Sequence, residues 1–240
     1  RAKEAGAYEL REVTRQFNAM LDQVDQLMAD VRRQEETTRQ YELRALSSQI
    51  NPHFLYNTLD TIIWMAEFQD SQRVVQVTKS LATYFRLALN QGKDLICLSD
   101  EINHVRQYLF IQKQRYGDKL DYEIDENPAF DNLVLPKLVL QPLVENALYH
   151  GIKEKDGQGH IRVSVQKTDT GLVIRIEDDG VGFQNTGDNS QSNLKRGGVG
   201  LQNVDQRLKL HFGENYQMTI NSAPEKGTTV EIYINKIGIS

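Results

Sequence analysis

Apolar residues recur near the start of the chain at Val13, Phe17, Met20, Val24, Leu27 and Val31, alternately four and three positions apart. That alternation is the a/d seam of a heptad and predicts a helix that needs a partner helix. Carried forward, the same phase lands on Gln34, Thr38, Tyr41 and Ala45, whereas the next strong stripe is Leu43, Leu46 and Ile50. The seam therefore shifts between Val31 and Leu43, either as a signalling joint or as a weak, frayed stretch. The stripe continues through Leu55, Leu59, Ile62 and Ile63. A second helical pattern covers about Val74 to Leu89 and stops at Asn90-Gln91-Gly92. With a polar turn at Gln69, Asp70 and Ser71, these helices make a hairpin. Two such hairpins bury their stripes as a four-helix bundle, so a homodimer is the economical reading.

A third helix is expected from about Ser99-Asp100-Glu101 to Tyr116, after which the pattern alternates. Candidate strands are Leu120 to Ile124, Ile161 to Gln166, Leu172 to Glu177, Met218 to Asn221 and Thr229 to Ile234; candidate helices are Pro136 to His150 and Val199 to Phe212. The fold class read from this is α+β: a helical N-terminal part, then an α/β sandwich with helices on one face of a mixed sheet.

The 240 residues carry 28 Lys+Arg against 33 Asp+Glu, a formal charge of −5. That balance argues against broad electrostatic binding to nucleic acid or an anionic membrane. One cysteine, Cys97, excludes an internal disulfide and a Cys-based metal cluster. No stretch reaches the roughly 18–20 apolar residues of a spanning helix. The sequence opens at Arg1 without methionine, inside a helical pattern. The expectation is an excised piece of something longer, whose missing part holds a membrane anchor.

Six of the sixteen glycines fall within residues 180–200, where the backbone must turn sharply or approach something closely. Between them, Gln184 to Lys195 is almost wholly polar and reads as a lid. Asp178-Asp179-Gly180-Val181-Gly182 closes a strand with carboxylates and frees the backbone after it. Asp178 there is suited to accept a hydrogen bond from an exocyclic amine such as adenine N6. Gly198-Val199-Gly200-Leu201 opens a helix whose free N–H groups face an anion, with Lys195 and Arg196 adding charge. This is neither a P-loop nor a Rossmann fingerprint. Upstream, Asn146 and His150 lie one helical turn apart with Glu145 beside them. An amide oxygen suits Mg²⁺ bridging phosphates, and a histidine can donate to one.

In order and spacing, these three segments resemble the N, G1 and G2 boxes of the Bergerat ATP-binding fold shared by histidine kinases, gyrase, Hsp90 and MutL. Gly227-Thr228-Thr229, entering the last strand, extends the match, since that strand lines the adenine pocket in the family. The segment Gln49-Ile50-Asn51-Pro52-His53-Phe54-Leu55-Tyr56-Asn57 resembles the phosphoacceptor helix of LytS/YesM-type sensor histidine kinases. A neutral imidazole is a nucleophile able to take a phosphoryl group, and Pro52 should loosen the turn that presents it. Leu10-Arg11-Glu12-Val13, Phe17-Asn18 and Met20-Leu21 look like the second helix of a HAMP linker.

The resemblance implies the cytoplasmic portion of a cell-membrane receptor. Residues 1–30 would end a HAMP linker, 31–95 would form the dimerisation and phosphotransfer hairpin, and 96–240 the catalytic domain. It implies ATP and Mg²⁺ as cofactors and a response regulator receiver domain as partner. By resemblance His53 is the phosphoacceptor, Asn146 the Mg²⁺ ligand and Asp178 the adenine reader. His150, Lys195, Arg196 and Thr228 face the nucleotide, while Gly180, Gly182, Gly198 and Gly200 permit backbone approach. Asn57 is assigned a role in removing phosphate from the regulator. Two departures matter: Phe54 replaces the acidic residue that often follows the histidine, and Pro142 stands where water-activating relatives carry Glu. The proton acceptor is thus unassigned, with Glu145 retained as a candidate. A GHKL ATPase, a serine kinase of that fold and a pseudokinase scaffold are the alternatives. His104, His160 and His211 read as surface or structural.

Overall fold

The structure, a computed structural model, describes residues 52–89, 94–184 and 198–235, together with Arg15, Phe17, Asn18, Met20 and Leu21. The chain divides into two units, Arg1–Asn51 and Pro52–Ser240. In the first, the five described positions are helical, and Phe17 and Met20 are exposed. The remainder of the heptad seam, its phase shift, the HAMP-like segment and most of the polar 184–195 stretch lie outside the described residues.

The second unit opens with the expected hairpin, α1 (Pro52–Glu67) and α2 (Ser71–Leu89). It turns at Gln69, whose φ is 58°. Asp70 fixes where α2 begins: its Oδ1 accepts from the Arg73 amide at 3.1 Å, an N-cap bond three residues ahead of the Val74 expected from periodicity alone. α1 starts at Pro52, where a missing N–H costs nothing; the residues that would test a bend before it are outside those described.

After β1 (Leu95–Cys97), α3 (Leu98–Tyr116) packs along α2. The sheet strands are β2 (Leu120–Asp125), β4 (Gly159–Lys167), β5 (Gly171–Asp178), β6 (Tyr216–Ala223) and β7 (Gly227–Asn235), with spatial order β2-β4-β5-β7-β6. The β2–β4 pair is parallel and the others are antiparallel, so the sheet is mixed as expected. Alternate residues Ile161, Val163, Leu172, Ile174, Val230 and Ile232 are buried on the helix-covered side. α3 lies against β2 and α5 (Gly198–Phe212) against β6. Across β5–β7, Arg175 and Glu231 are register partners joined at 2.7 Å.

Two features depart from the sequence reading. A small second sheet pairs β1 with β3 (Val134–Pro136), antiparallel. The helix expected from Pro136 to His150 instead starts at Gln141: α4 (Gln141–Asn146) runs into a π-helical turn over Ala147–Ile152. The cause of the late start is that Pro136 belongs to β3, while the Leu138, Val139 and Leu140 amides are held by the Glu101 carboxylate.

Candidate functional site

A cavity of about 300 Å³ opens between α4 with its π turn, the ends of β5 and β7, and the first turn of α5. Asn146, His150, Asp178, Gly182 and Thr228 line it, which brings together five residues that the sequence placed in three separate segments. Leu143, Ile176, Leu201, Ile220 and Val230 supply an apolar wall. Such a mixture, mostly apolar with a few convergent polar groups, is that of a small-molecule pocket.

The π turn sets the polar side of the cavity. Lys153 donates to the Leu148 carbonyl at 2.8 Å, the i→i−5 bond of a π turn, and through this turn Asn146, His150 and Gly151 all reach the cavity. Asp178 stands at the end of β5, opposite Thr228 in register. Its Oδ1 accepts from the Gly180 amide at 3.0 Å. Burial pushes the carboxyl up to about 6, against the pull of the Gly180 and Thr228 amides. The adjacent Asp179 points elsewhere, bonded to Lys155 at 2.9 Å and to the His160 amide at 2.7 Å. Thr228 Oγ1 meets Ser222 Oγ at 3.0 Å, and Ser222 also accepts from the Phe183 amide, so the cavity's rim is tied together.

Gly180 is required for close packing, because a Cβ there would lie 2.3 Å from the Gly151 backbone. Gly151 itself escaped the sequence reading. A Cβ on it would sit 2.5 Å from Asp178 Oδ1. The signal was its place directly after His150. Phe183 and the apolar wall were likewise missed, since isolated apolar residues carry no motif.

Gly198 and Gly200 stand in the first turn of α5, whose Leu201 lines the cavity. Lys195 and Arg196 lie outside the described residues. Glu145 is not among the cavity-lining residues; its Oε1 accepts from Gln141 Nε2 at 2.8 Å, and burial raises its carboxyl pKa. Gln141 Nε2 also donates to Tyr84 Oη at 2.6 Å, joining α4 to α2.

His53 is exposed in the first turn of α1. Its neighbour Phe54 is buried and packs on Tyr84 and Tyr108, with centroids 4.8 and 5.1 Å away, so the turn carrying the imidazole is anchored while the ring stays accessible. Asn57 is half-buried one turn later, beside a groove shared with Thr61, Trp64 and Gln114. His104 is structural, as expected: it is buried, stacked 4.3 Å from Tyr84, and pushed down to about 4 by burial.

Among the described residues no group of three or more His, Cys, Asp or Glu could hold a metal alone. The donor set here, with Asn146 offering a single amide oxygen to the cavity, suits a cation that takes further oxygen ligands from a bound molecule.

A family model described as "Histidine kinase" matches residues 41–120, and one described as "Histidine kinase-, DNA gyrase B-, and HSP90-like ATPase" matches residues 133–237. The chain is 34% identical to the sensor histidine kinase YesM of Bacillus subtilis (strain 168) over 222 residues, which are 92% of this chain and 38% of YesM. It is 33% identical to the uncharacterized protein YwpD of the same organism, over 98% of this chain and 84% of YwpD. Among solved structures, the histidine kinase domain of the Erythrobacter litoralis EL346 blue-light activated histidine kinase aligns with 77% of this chain and 93% of that chain, at 17% identity and a TM-score of 0.47. The chain thus spans well under half the length of YesM.

Proposed function

We infer, from the fact that this chain belongs to the sensor histidine kinase family, that it phosphorylates its own His53 from ATP and passes the phosphoryl group to an aspartate of a response regulator. The observation that carries this reading is the convergence of Asn146, His150, Asp178 and Thr228 on one cavity in a chain whose exposed His53 heads a separate helix.

Asp178 would accept from the adenine amine, with Ile176, Ile220 and Val230 against the ring. Asn146 would hold Mg²⁺, which would supply positive charge against the phosphates. His150 and the first turn of α5 would donate to phosphate oxygens. In the transfer, a His53 ring nitrogen attacks the γ-phosphorus as the bond to the β–γ bridging oxygen breaks. ADP leaves with that electron pair, and the ring releases its proton to a base or to solvent. What the protein contributes is positioning and charge stabilisation.

A homodimer is supported by α1, where Tyr56, Leu59 and Ile63 leave an exposed apolar stripe at helical spacing, with Tyr56 67% exposed. No described helix is long and apolar enough to cross a membrane; attachment to one would come through a part of the protein N-terminal to this sequence. The reading is tested by incubating the protein with γ-labelled ATP and Mg²⁺. Label should become attached to the protein, and bound ATP without transferred label would contradict it.

A further inference from the structure

We propose that Glu101 is a positioning residue for Asn146, setting the register of the helix that holds the cation end of the nucleotide; this rests on the reading of Asn146 given above. Glu101 lies in the first turn of α3, is not among the cavity-lining residues, and is fully buried. Its carboxylate accepts three consecutive backbone amides from the segment leading into α4: Leu138 at 2.9 Å on Oε2, then Val139 at 2.6 Å and Leu140 at 2.8 Å on Oε1.

Three successive amides converge on one group only if the backbone bends for it. Leu138 does so, at φ 56°, a left-handed conformation that a branched side chain rarely takes. α4 has no cap of its own: Leu140 occupies the N-cap position and has no side chain able to accept. Glu101, about forty residues upstream and on another helix, instead holds the N-cap residue's own amide together with the two amides before it. A buried carboxylate with three charge-assisted bonds fixes direction as well as distance. Burial works against its ionised form, while the three amides and Arg207 favour it.

The consequence follows from the geometry of the helix. Asn146 lies six residues beyond Leu140, at the end of the short helix whose lead-in segment Glu101 holds. A shift at its start is therefore carried to Asn146 and on to His150. Asp178 and Thr228, in contrast, are held as register partners in the β5–β7 ladder, and Asp178 meets this piece only at Gly151, beyond Asn146 in the π turn. Loss of Glu101 should accordingly separate the two ends of the nucleotide site. α3 also packs along α2, so the clamp connects the hairpin that carries His53 with the cation end of the cavity.

The test is titration calorimetry of the parent, Glu101→Gln and Glu101→Asp with Mg·ATP and with adenosine. Glu101→Gln keeps the shape but turns an amide toward backbone donors. It should weaken Mg·ATP by at least about tenfold, or about 1.4 kcal/mol, while adenosine affinity stays within about twofold. Equal weakening of both ligands, or of neither, overturns the inference and reduces Glu101 to a folding residue. Should Glu101→Gln not fold, the same comparison on Glu101→Asp, which keeps the charge at shorter reach, decides in the same way. A parent that binds adenosine but gains nothing from Mg²⁺ and phosphates would overturn the reading of Asn146 itself, a distinct result.

Discussion

Gly151 and Asp178 face each other so closely that the carboxylate occupies the space a side chain on residue 151 would need, with Oδ1 2.5 Å from where the Cβ would stand. Gly151→Ala should therefore displace the carboxylate proposed to accept from the adenine amine. The expected cost is about 1–3 kcal/mol of stability from overpacking, together with loss of ATP binding. Thermal melts with and without ATP check this: the variant should melt lower and show no shift on adding nucleotide.

Asp178 gives a pH dependence of definite sign. Its carboxyl is raised from an ordinary 3.8 to about 6 in the folded protein, so the native state holds this proton more tightly than the unfolded chain does. Its stabilising contribution is full below about pH 4 and is lost as the pH climbs through about 6. Asp178→Asn, which does not ionise, should gain stability relative to the parent between pH 4.5 and pH 7.5 on the scale these pKa values set. Urea midpoints for both proteins across that range check it, and a difference constant with pH would show that burial does not govern this carboxyl.

How far the sequence could be read is shown by contrasting elements. The five main strands are long enough for alternation to mark them, and each lies within about two residues of its expected limits. The β1–β3 pair escaped because strands of three residues carry no period, and their partners are far apart in sequence. The start of α4 escaped for a related reason: the group that captures its leading amides, Glu101, lies on another helix. In the site, Asn146, His150, Asp178 and Thr228 were legible because each belongs to a motif with fixed neighbours. Gly151, Phe183 and the apolar wall were not, since their role is contact across the fold. Glu145 was legible as an acidic neighbour of Asn146, but its turn toward Gln141 and Tyr84 depends on tertiary packing.

Tyr84 Oη is the acceptor that ties Gln141 to the hairpin. Tyr84→Phe leaves a buried amide hydrogen with one partner fewer and should cost about 1–2 kcal/mol. Nucleotide affinity should hardly change, because Tyr84 does not line the cavity. Chemical denaturation and calorimetry on the same variant separate the two effects.

Asn57 sits one turn after His53, and its Nδ2 is buried without a hydrogen-bond partner among the described residues. Its place one helical turn after the exposed His53, beside a groove, suits the placing of a water molecule for dephosphorylation of the regulator. Asn57→Ala should slow loss of phosphate from a phosphorylated receiver domain while leaving labelling of His53 intact. An unchanged rate of loss would remove Asn57 from that role.

His53 is proposed as the nucleophile. Parent and His53→Gln proteins are incubated with γ-labelled ATP and Mg²⁺, and protein-bound label is scored after acid and after alkali. Phosphohistidine is lost in acid and survives alkali, so the account predicts acid-labile label on the parent and none on the variant, with ATP binding equal in both. Label that persists in the variant, or that survives acid, would contradict it.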